Sequence, residues 1–286
     1  MPVYTWVVMA IYMGFGLLEL VRSNLFHKPG QCRQDGIVEL VSTLMLTMVT
    51  LPGIILLVSL LGQQFFPQYQ GALTNIGLLP AVALFLLLDD MMQYWWHRAS
   101  HSVSWLYNLH RAHHNARYMS VRLVYRNNII YYALMPSLWF SGVLIYLGLG
   151  WFSAGYVIIK MLVIIGAHCD VAWDAPLYRI KWLAPVMWVV ERTISTPATH
   201  HAHHGRHSND PAVHYKGNYG NLLFFWDVLF GTARITRTYP TSFGVENLPD
   251  ATLGQQLLWP IFPENTDMNR AVPGASPAST AMTARA

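Results

Sequence analysis

Charge is what this sequence has least of: only 11% of its 286 residues are Asp, Glu, Lys or Arg. Soluble domains carry about a quarter, so this chain cannot coat an ordinary water-facing surface. Cysteine is almost absent. Cys32 and Cys169 stand far apart, and neither belongs to a CxxC pair; this excludes a disulfide framework and fits a reducing compartment on the aqueous side. Runs of basic residues are also missing and the formal charge is only +4, so no nucleic-acid partner is expected. The first residues, Met1-Pro2-Val3-Tyr4-Thr5, lack the basic start of a signal peptide, and the apolar run they open reads as a retained membrane segment.

What the chain does have is hydrophobic length. Mean hydropathy is positive, and apolar stretches long enough to cross a bilayer occur near 5–21, 38–62, 73–96, 129–149 and 152–168. Pro52-Gly53 inside the second predicts a bend or a pair of half-helices. The last two read as a hairpin, within which Lys160 must face the bundle interior or snorkel. Arg22, Lys28 and Arg33 mark one connection, and Arg98, Arg111, Arg117, Arg122 and Arg126 another, whereas 63–72 and the turn at Gly148–Ser153 carry no Lys or Arg. The positive-inside rule then places 22–36, 97–128 and everything after 169 on the cytoplasmic side. Asp174-Ala175-Pro176 resembles the start of a helix over 176–195 lying at the interface, and Leu222–Phe230 fits a similar position. The expected fold is an all-α integral membrane protein with about four to five transmembrane or re-entrant helices and a cytoplasmic-face helical cap. It forms one domain over 1–263, and 264–286, rich in Ala, Ser, Thr, Pro and Gly, is expected to be a disordered tail.

Twelve of the 13 histidines fall between His97 and His214. Eight form three spaced boxes: His97 and His101; His110, His113 and His114; His200, His203 and His204. Spacing of four aligns two imidazoles on one helical face, able to grip one metal, while spacing of three turns a further ring aside toward a second. Two plus three plus three gives roughly four nitrogens for each of two ions. A six-coordinate metal would keep open positions there, unlike a closed structural zinc site. The plainer alternative is a histidine-rich tract that scavenges metal, although such a tract has no need of spacing. His168, at the end of the last apolar stretch, is a candidate ninth ligand, or else a histidine held by the helix dipole. His201 lies outside the pattern, and His27, His207 and His214 read as surface or satisfied residues.

Asp90 precedes His97 by seven residues and so shares its face; it is placed to accept a ring N–H behind a metal ligand, or to pair with an arginine. Asp89, about 100° away on an α-helix, suits the arginine pairing better. Eight neutral imidazoles bring no negative charge, which makes Asp90 and Asp227 candidates for compensation.

Asp90-x-x-x-Tyr94-Trp95-x-His97-Arg98-x-x-His101, His110-x-x-His113-His114, Pro197-x-x-His200-x-x-His203-His204-Gly205-Arg206, Asn218-Tyr219-Gly220-Asn221 and Trp226-Asp227-x-x-Phe230-Gly231-Thr232 together resemble the fatty acid hydroxylase / sterol desaturase superfamily. The motifs span about 85–235; the first two apolar segments match in hydrophobicity alone. The resemblance implies that the eight box histidines are ligands of a non-haem di-iron centre. It implies O2 as oxidant and hydroxylation, desaturation or oxidative demethylation of a lipid C–H bond (sterol, fatty acyl or related). Arg206 to His214 is an addition relative to the family's usual run from the third box to Asn-Tyr-Gly. His27-Lys28-Pro29-Gly30 superficially matches a cytochrome b5 haem motif, but no such domain surrounds it, so electrons would come from a separate reductase, ferredoxin or cytochrome b5-like protein. By position, Arg122, Tyr125, Arg126 and Lys181 are candidates for holding a lipid head group. The rival readings are a carotenoid hydroxylase or ketolase, and a non-catalytic membrane metal-binding protein or transporter; the motifs after the third box favour the sterol and fatty-acid group over the carotenoid enzymes.

Overall fold

The computed structural model describes residues 3–248 and 251–263; the tail expected from 264 lies outside them. Four helical stretches are long and apolar enough to cross a membrane: α1 (Val3–Arg22), α2 (Arg33–Phe65), α3 (Leu78–Ser100) and Pro136–His168. Most of their side chains face outward, including Leu56, Leu60, Leu79 and Ile159. Such surfaces suit lipid, where helices alone satisfy every backbone group.

The fourth stretch is the expected hairpin. It runs as α6 (Pro136–Leu144), passes through a π-helical turn at Ile145–Leu149, breaks at Gly148 with φ +104°, and returns as α7 (Gly150–His168). Ile129–Ala133, expected as its first turn, is instead a separate short helix, α5, because Pro136 restarts the chain. Pro52 does not divide α2 as predicted. A π-helical turn at Met45–Thr50 comes just before it, and the helix continues unbroken; the wider turn accommodates a residue that has no N–H to donate.

Hydrogen bonds from Gly71 N to Tyr146 O (3.1 Å) and Leu73 N to Leu147 O (2.7 Å) join the connection after α2 to the hairpin turn. The two Lys/Arg-free connections therefore meet at one end. The histidines sit at the other, some 27 Å away along the 19-residue α7. Inside the bundle, Lys160 faces the interior as expected, but its partner corrects the arginine expectation for Asp89. Asp89 takes the Lys160 ammonium together with the hydroxyls of Tyr156 (2.7 Å) and Ser141 (3.1 Å). Either charge alone at that depth would cost about 3 kcal/mol or more.

The cap consists of α4 (Ser104–His114), α8 (Ala184–Thr193), α9 (Pro197–His204), α10 (Phe225–Leu229) and α11 (Leu253–Leu258), joined by long irregular segments. The continuous helix expected over 176–195 is broken: Leu177–Arg179 and Lys181–Leu183 are single 3-10 turns, and α8 begins only at Ala184, with Pro185 in its first turn. Trp182, Val186, Trp188 and Val189 are exposed, as are Phe225, Val228 and Leu229, which an interfacial position would require. Asp174 does not open that helix with its side chain. Its buried carboxylate reaches Ala198 N (2.9 Å) and the Tyr239 hydroxyl (2.6 Å), and so fixes the start of α9.

Candidate metal centre

Each histidine box lies where a helix ends. The first occupies the last turn of α3 and the residue after it, the second the end of α4, and the third all of α9. Thr196 and Thr199 form a capping box that starts α9, with Pro197 in the first turn. α9 packs against the end of α7, which brings His168 to the third box.

The folded chain gathers nine imidazoles into two buried groups whose ligand atoms lie within 4.8 Å of one another. One contains His97, His101, His110, His114 and His203; the other contains His113, His168, His200 and His204. The partition follows the spacing. His110 and His114, four apart, face one group while His113 turns to the other; His200 and His204 face the second while His203 turns to the first. The groups abut, with the rings of His114 and His204 stacked at 4.4 Å between centroids.

Five of the nine rings are held by their Nδ1–H. His97 donates to Tyr219 O (2.7 Å), His110 to Asn127 Oδ1 (2.9 Å), His113 to Arg126 O (3.2 Å), His168 to Ile164 O (2.8 Å) and His203 to Gly217 O (2.8 Å). That tautomer leaves a lone pair on each Nε2. In the first group the Nε2 atoms of His97 and His203 are 3.0 Å apart, and in the second those of His113 and His168 are 3.4 Å apart. With both Nδ1 positions donating, neither pair has a proton to share, so two lone pairs oppose each other. A cation reconciles them, because two imidazole nitrogens at ~2.1 Å from one ion and at right angles lie about 3 Å apart. Both nitrogens of His101 and Nε2 of His204 are also buried without a partner. The residues present therefore fit a pair of metal ions. Burial holds the rings of His110, His113, His114, His200, His203 and His204 well below the usual imidazole range. They are neutral at pH 7, the state that binds metal.

The carboxylates stand behind the rings. Among the described residues, no Asp or Glu belongs to either group, so neither Asp90 nor Asp227 supplies the compensating charge by direct ligation. Asp90 accepts from Trp226 Nε1 (2.8 Å) and Leu223 N (3.2 Å), tying α3 to α10 in place of the expected imidazole. Asp227 accepts from Tyr219 N (2.8 Å), Gly220 N (2.6 Å) and Thr232 Oγ1 (2.6 Å). With its N–H held, the 219–220 segment presents the Tyr219 carbonyl to His97. A Cβ at residue 220 would come within 2.9 Å of Asp227 Oδ2, which accounts for glycine in that motif. Burial pushes the Asp227 carboxyl up, against the pull of those hydrogen bonds.

The remaining candidates are placed elsewhere. His201 Nε2 lies 3.0 Å from Cys169 O, His207 faces Glu246, and His214 faces Thr232 O. Arg126 is fully buried and engaged with Asp35 (2.8 Å), Ala112 O (2.7 Å) and Gln256 (2.8 Å), which corrects its expected head-group role. Arg122 pairs with Glu39 (3.2 Å), and the Tyr125 hydroxyl meets Met161 Sδ; Lys181 is exposed at the start of the interfacial segment. Asn127 was not foreseen as a ring anchor. It stands in the polar run Arg126-Asn127-Asn128, whose composition indicates a loop and nothing more specific.

Fold and site together define a helical membrane protein with two all-histidine groups, able to hold metal, at one end of its bundle. The chain belongs to the fatty acid hydroxylase family, whose model matches residues 82–232, just over half of the chain. It is similar to alkylglycerol monooxygenase of Danio rerio, 27% identical over 143 residues, and of Xenopus tropicalis, 26% identical over 155 residues. In both cases the match covers 50% of this chain and 28% of the relative, so the chain spans only a minor part of their length. No solved structure gives a significant match.

Proposed function

We propose that this chain is an O2-dependent monooxygenase that uses two iron ions, held by the five- and four-histidine groups, to hydroxylate a C–H bond of a membrane lipid. The opposed lone pairs of His97 with His203 and of His113 with His168 carry this reading, because they occur once in each group and each calls for a cation. Iron, when bound, supplies the redox chemistry for activating O2 that zinc lacks. One oxygen atom enters the C–H bond and the other leaves as water, with two electrons and two protons from an external donor protein. The names of the similar proteins make an alkylglycerol, a lipid with an ether-linked chain, the first substrate to try.

The residues of this chain divide the work. Nine neutral rings bind, and Tyr219, Gly217, Arg126, Ile164 and Asn127 orient five of them. Burial of both groups excludes bulk water, which protects a reactive oxidant. The exposed apolar face of Trp182, Val186, Trp188 and Val189 provides a surface along which a lipid chain reaches the boundary from the bilayer. The positive connections and the histidine end lie together, which supports a cytoplasmic-facing site.

The test is metal analysis of purified protein combined with lipid profiling of cells expressing wild type or His113→Ala, supplied with an alkylglycerol, a sterol or a fatty acid. Two irons per chain and an O2-dependent product absent from His113→Ala are expected. Bound metal with identical lipid profiles under every supplement would turn the reading toward a metal-binding protein.

A further inference from the structure

We infer that Tyr94 is a redox-active tyrosine, which together with Trp95 and Tyr219 passes single electrons from the protein surface to the five-histidine group. This rests on the reading that those histidines hold a redox-active metal ion.

The path is a line of rings. Tyr219 lies against three imidazoles of the group, with centroids 5.4 Å from His101, 5.6 Å from His203 and 5.7 Å from His97. Tyr94 follows at 6.2 Å from Tyr219, and Trp95 at 5.4 Å from Tyr94. Tyr94 and Tyr219 are buried, whereas Trp95 is 40% exposed, with the Arg98 guanidinium 5.1 Å over its ring. Phenol and indole rings give up one electron more readily than other aromatic or aliphatic side chains, so neighbouring rings of these two kinds divide a long transfer into short steps. The other group has no such line. Among the described residues, the rings against His113, His168, His200 and His204 are all imidazoles.

A phenol that loses an electron also loses its proton, so a relay tyrosine needs a base within reach. Thr232 Oγ1 donates its one proton to Asp227 Oδ1 (2.6 Å), and therefore accepts from the Tyr94 hydroxyl at 2.9 Å. Arg98 Nη1 donates to the same phenol oxygen (3.2 Å). Burial, which pushes the Asp227 carboxyl up, makes that carboxylate a better proton acceptor. Oxidation of Tyr94 thus sends one electron by way of the Tyr219 ring to the metal group. Its phenolic proton moves to Thr232 as the Thr232 proton passes to the Asp227 carboxylate. An electron from an external one-electron donor then returns through Trp95, and both protons move back. The sum is one electron carried inward, with no proton gained or lost by the relay. Two other tyrosines touch this group and lack the base. The Tyr107 hydroxyl, beside His101, is buried with no acceptor, and that of Tyr131, stacked on His110, faces Ser100 and Trp96.

The experiment uses full-length, iron-loaded protein in phosphatidylcholine nanodiscs, mixed with hydrogen peroxide and rapidly frozen. Peroxide supplies the oxidising equivalents, so neither O2 nor a lipid substrate is needed. Electron paramagnetic resonance, repeated with ring-deuterated tyrosine, identifies a tyrosyl radical. Such a radical is expected in wild type and should be lost in Tyr94→Phe and in Thr232→Val, while Tyr107→Phe keeps it. Trp95→Leu should slow its decay when ferrocyanide is added as the one-electron donor. Rings that merely pack would give none of these signals. Iron content and melting temperature report folding, and Thr232→Val, at a half-buried position, serves if Tyr94→Phe does not fold. The proposal is overturned by no radical in iron-loaded wild type, by a radical equally present after a chelator has removed the iron, or by one that survives in whichever of Tyr94→Phe and Thr232→Val folds. Its failure is separable from that of the oxygenase reading: a Tyr94 radical without any lipid product sinks the oxygenase alone, and a lipid product without the radical sinks the relay alone.

Discussion

The five-histidine and four-histidine groups are built from the same kind of side chain but stand on different scaffolds. Three rings of the first, His97, His110 and His203, are held by Tyr219, Asn127 and Gly217, all in irregular segments of the cap. In the second, His168 is held by the preceding turn of its own membrane helix, through Ile164 O, and His113 by Arg126 O. The anchored rings of the first group therefore depend wholly on loops that follow the boxes, whereas the second depends on such a loop for His113 and on the bundle for His168. A family motif that looks like a single unit in sequence serves two half-sites with separate mechanical support.

The sharpest way to break that comparison is to remove one ligand from each side. His204→Ala leaves three histidines in its group and should lose one metal equivalent with more than about a hundredfold fall in activity; His101→Ala leaves four and should retain both equivalents. Metal-to-protein ratios after gel filtration decide between them, and equal losses would mean that the groups are not independent. Lys160→Met leaves Asp89 unpaired between α3 and α7, which carry His97 and His168, and should destabilise the protein by about 3–5 kcal/mol. Both groups should weaken together, seen as a single lowered unfolding transition in detergent, and Asp89→Asn with Lys160→Met should recover most of the loss. Asp227→Ala frees the 219–220 segment and should lower metal affinity by about 10–100-fold in the five-histidine group alone, which chelator competition would report as one weakened phase of two. Asn127→Leu removes the anchor of one ring and should give the smallest effect, about tenfold, in that same phase.

Much of this centre is legible in the sequence because helix periodicity converts spacing into direction. The pairs four apart and the members three apart fall into the two groups just as their angular positions require, and His168 joins them from the helix end that its position indicated. The anchors of the rings are a different matter. Four of the five are main-chain carbonyls, which every residue has, so nothing in Tyr219 or Gly217 distinguishes them as acceptors until the loop is folded. The carboxylates misled for a related reason. Asp90 does share a face with His97, but Trp226, remote in sequence, comes close enough to take it. Asp174, two residues before a proline, resembled a helix start, whereas its partners Ala198 and Tyr239 are contributed by later segments. Arg126 looked like a free cation in a loop because Asp35 and Gln256, which enclose it, lie at opposite ends of the chain.

Holding the imidazole rings by peptide oxygens has an evolutionary side. Side chains around the centre can be exchanged without altering what His97, His113, His168 and His203 hydrogen-bond to, provided the backbone path is kept. A lineage built this way can change the side chains around the histidines by ordinary substitution while the placement of the rings stays constant. Variation of the surroundings and constancy of the histidine geometry are thereby separated within one small fold.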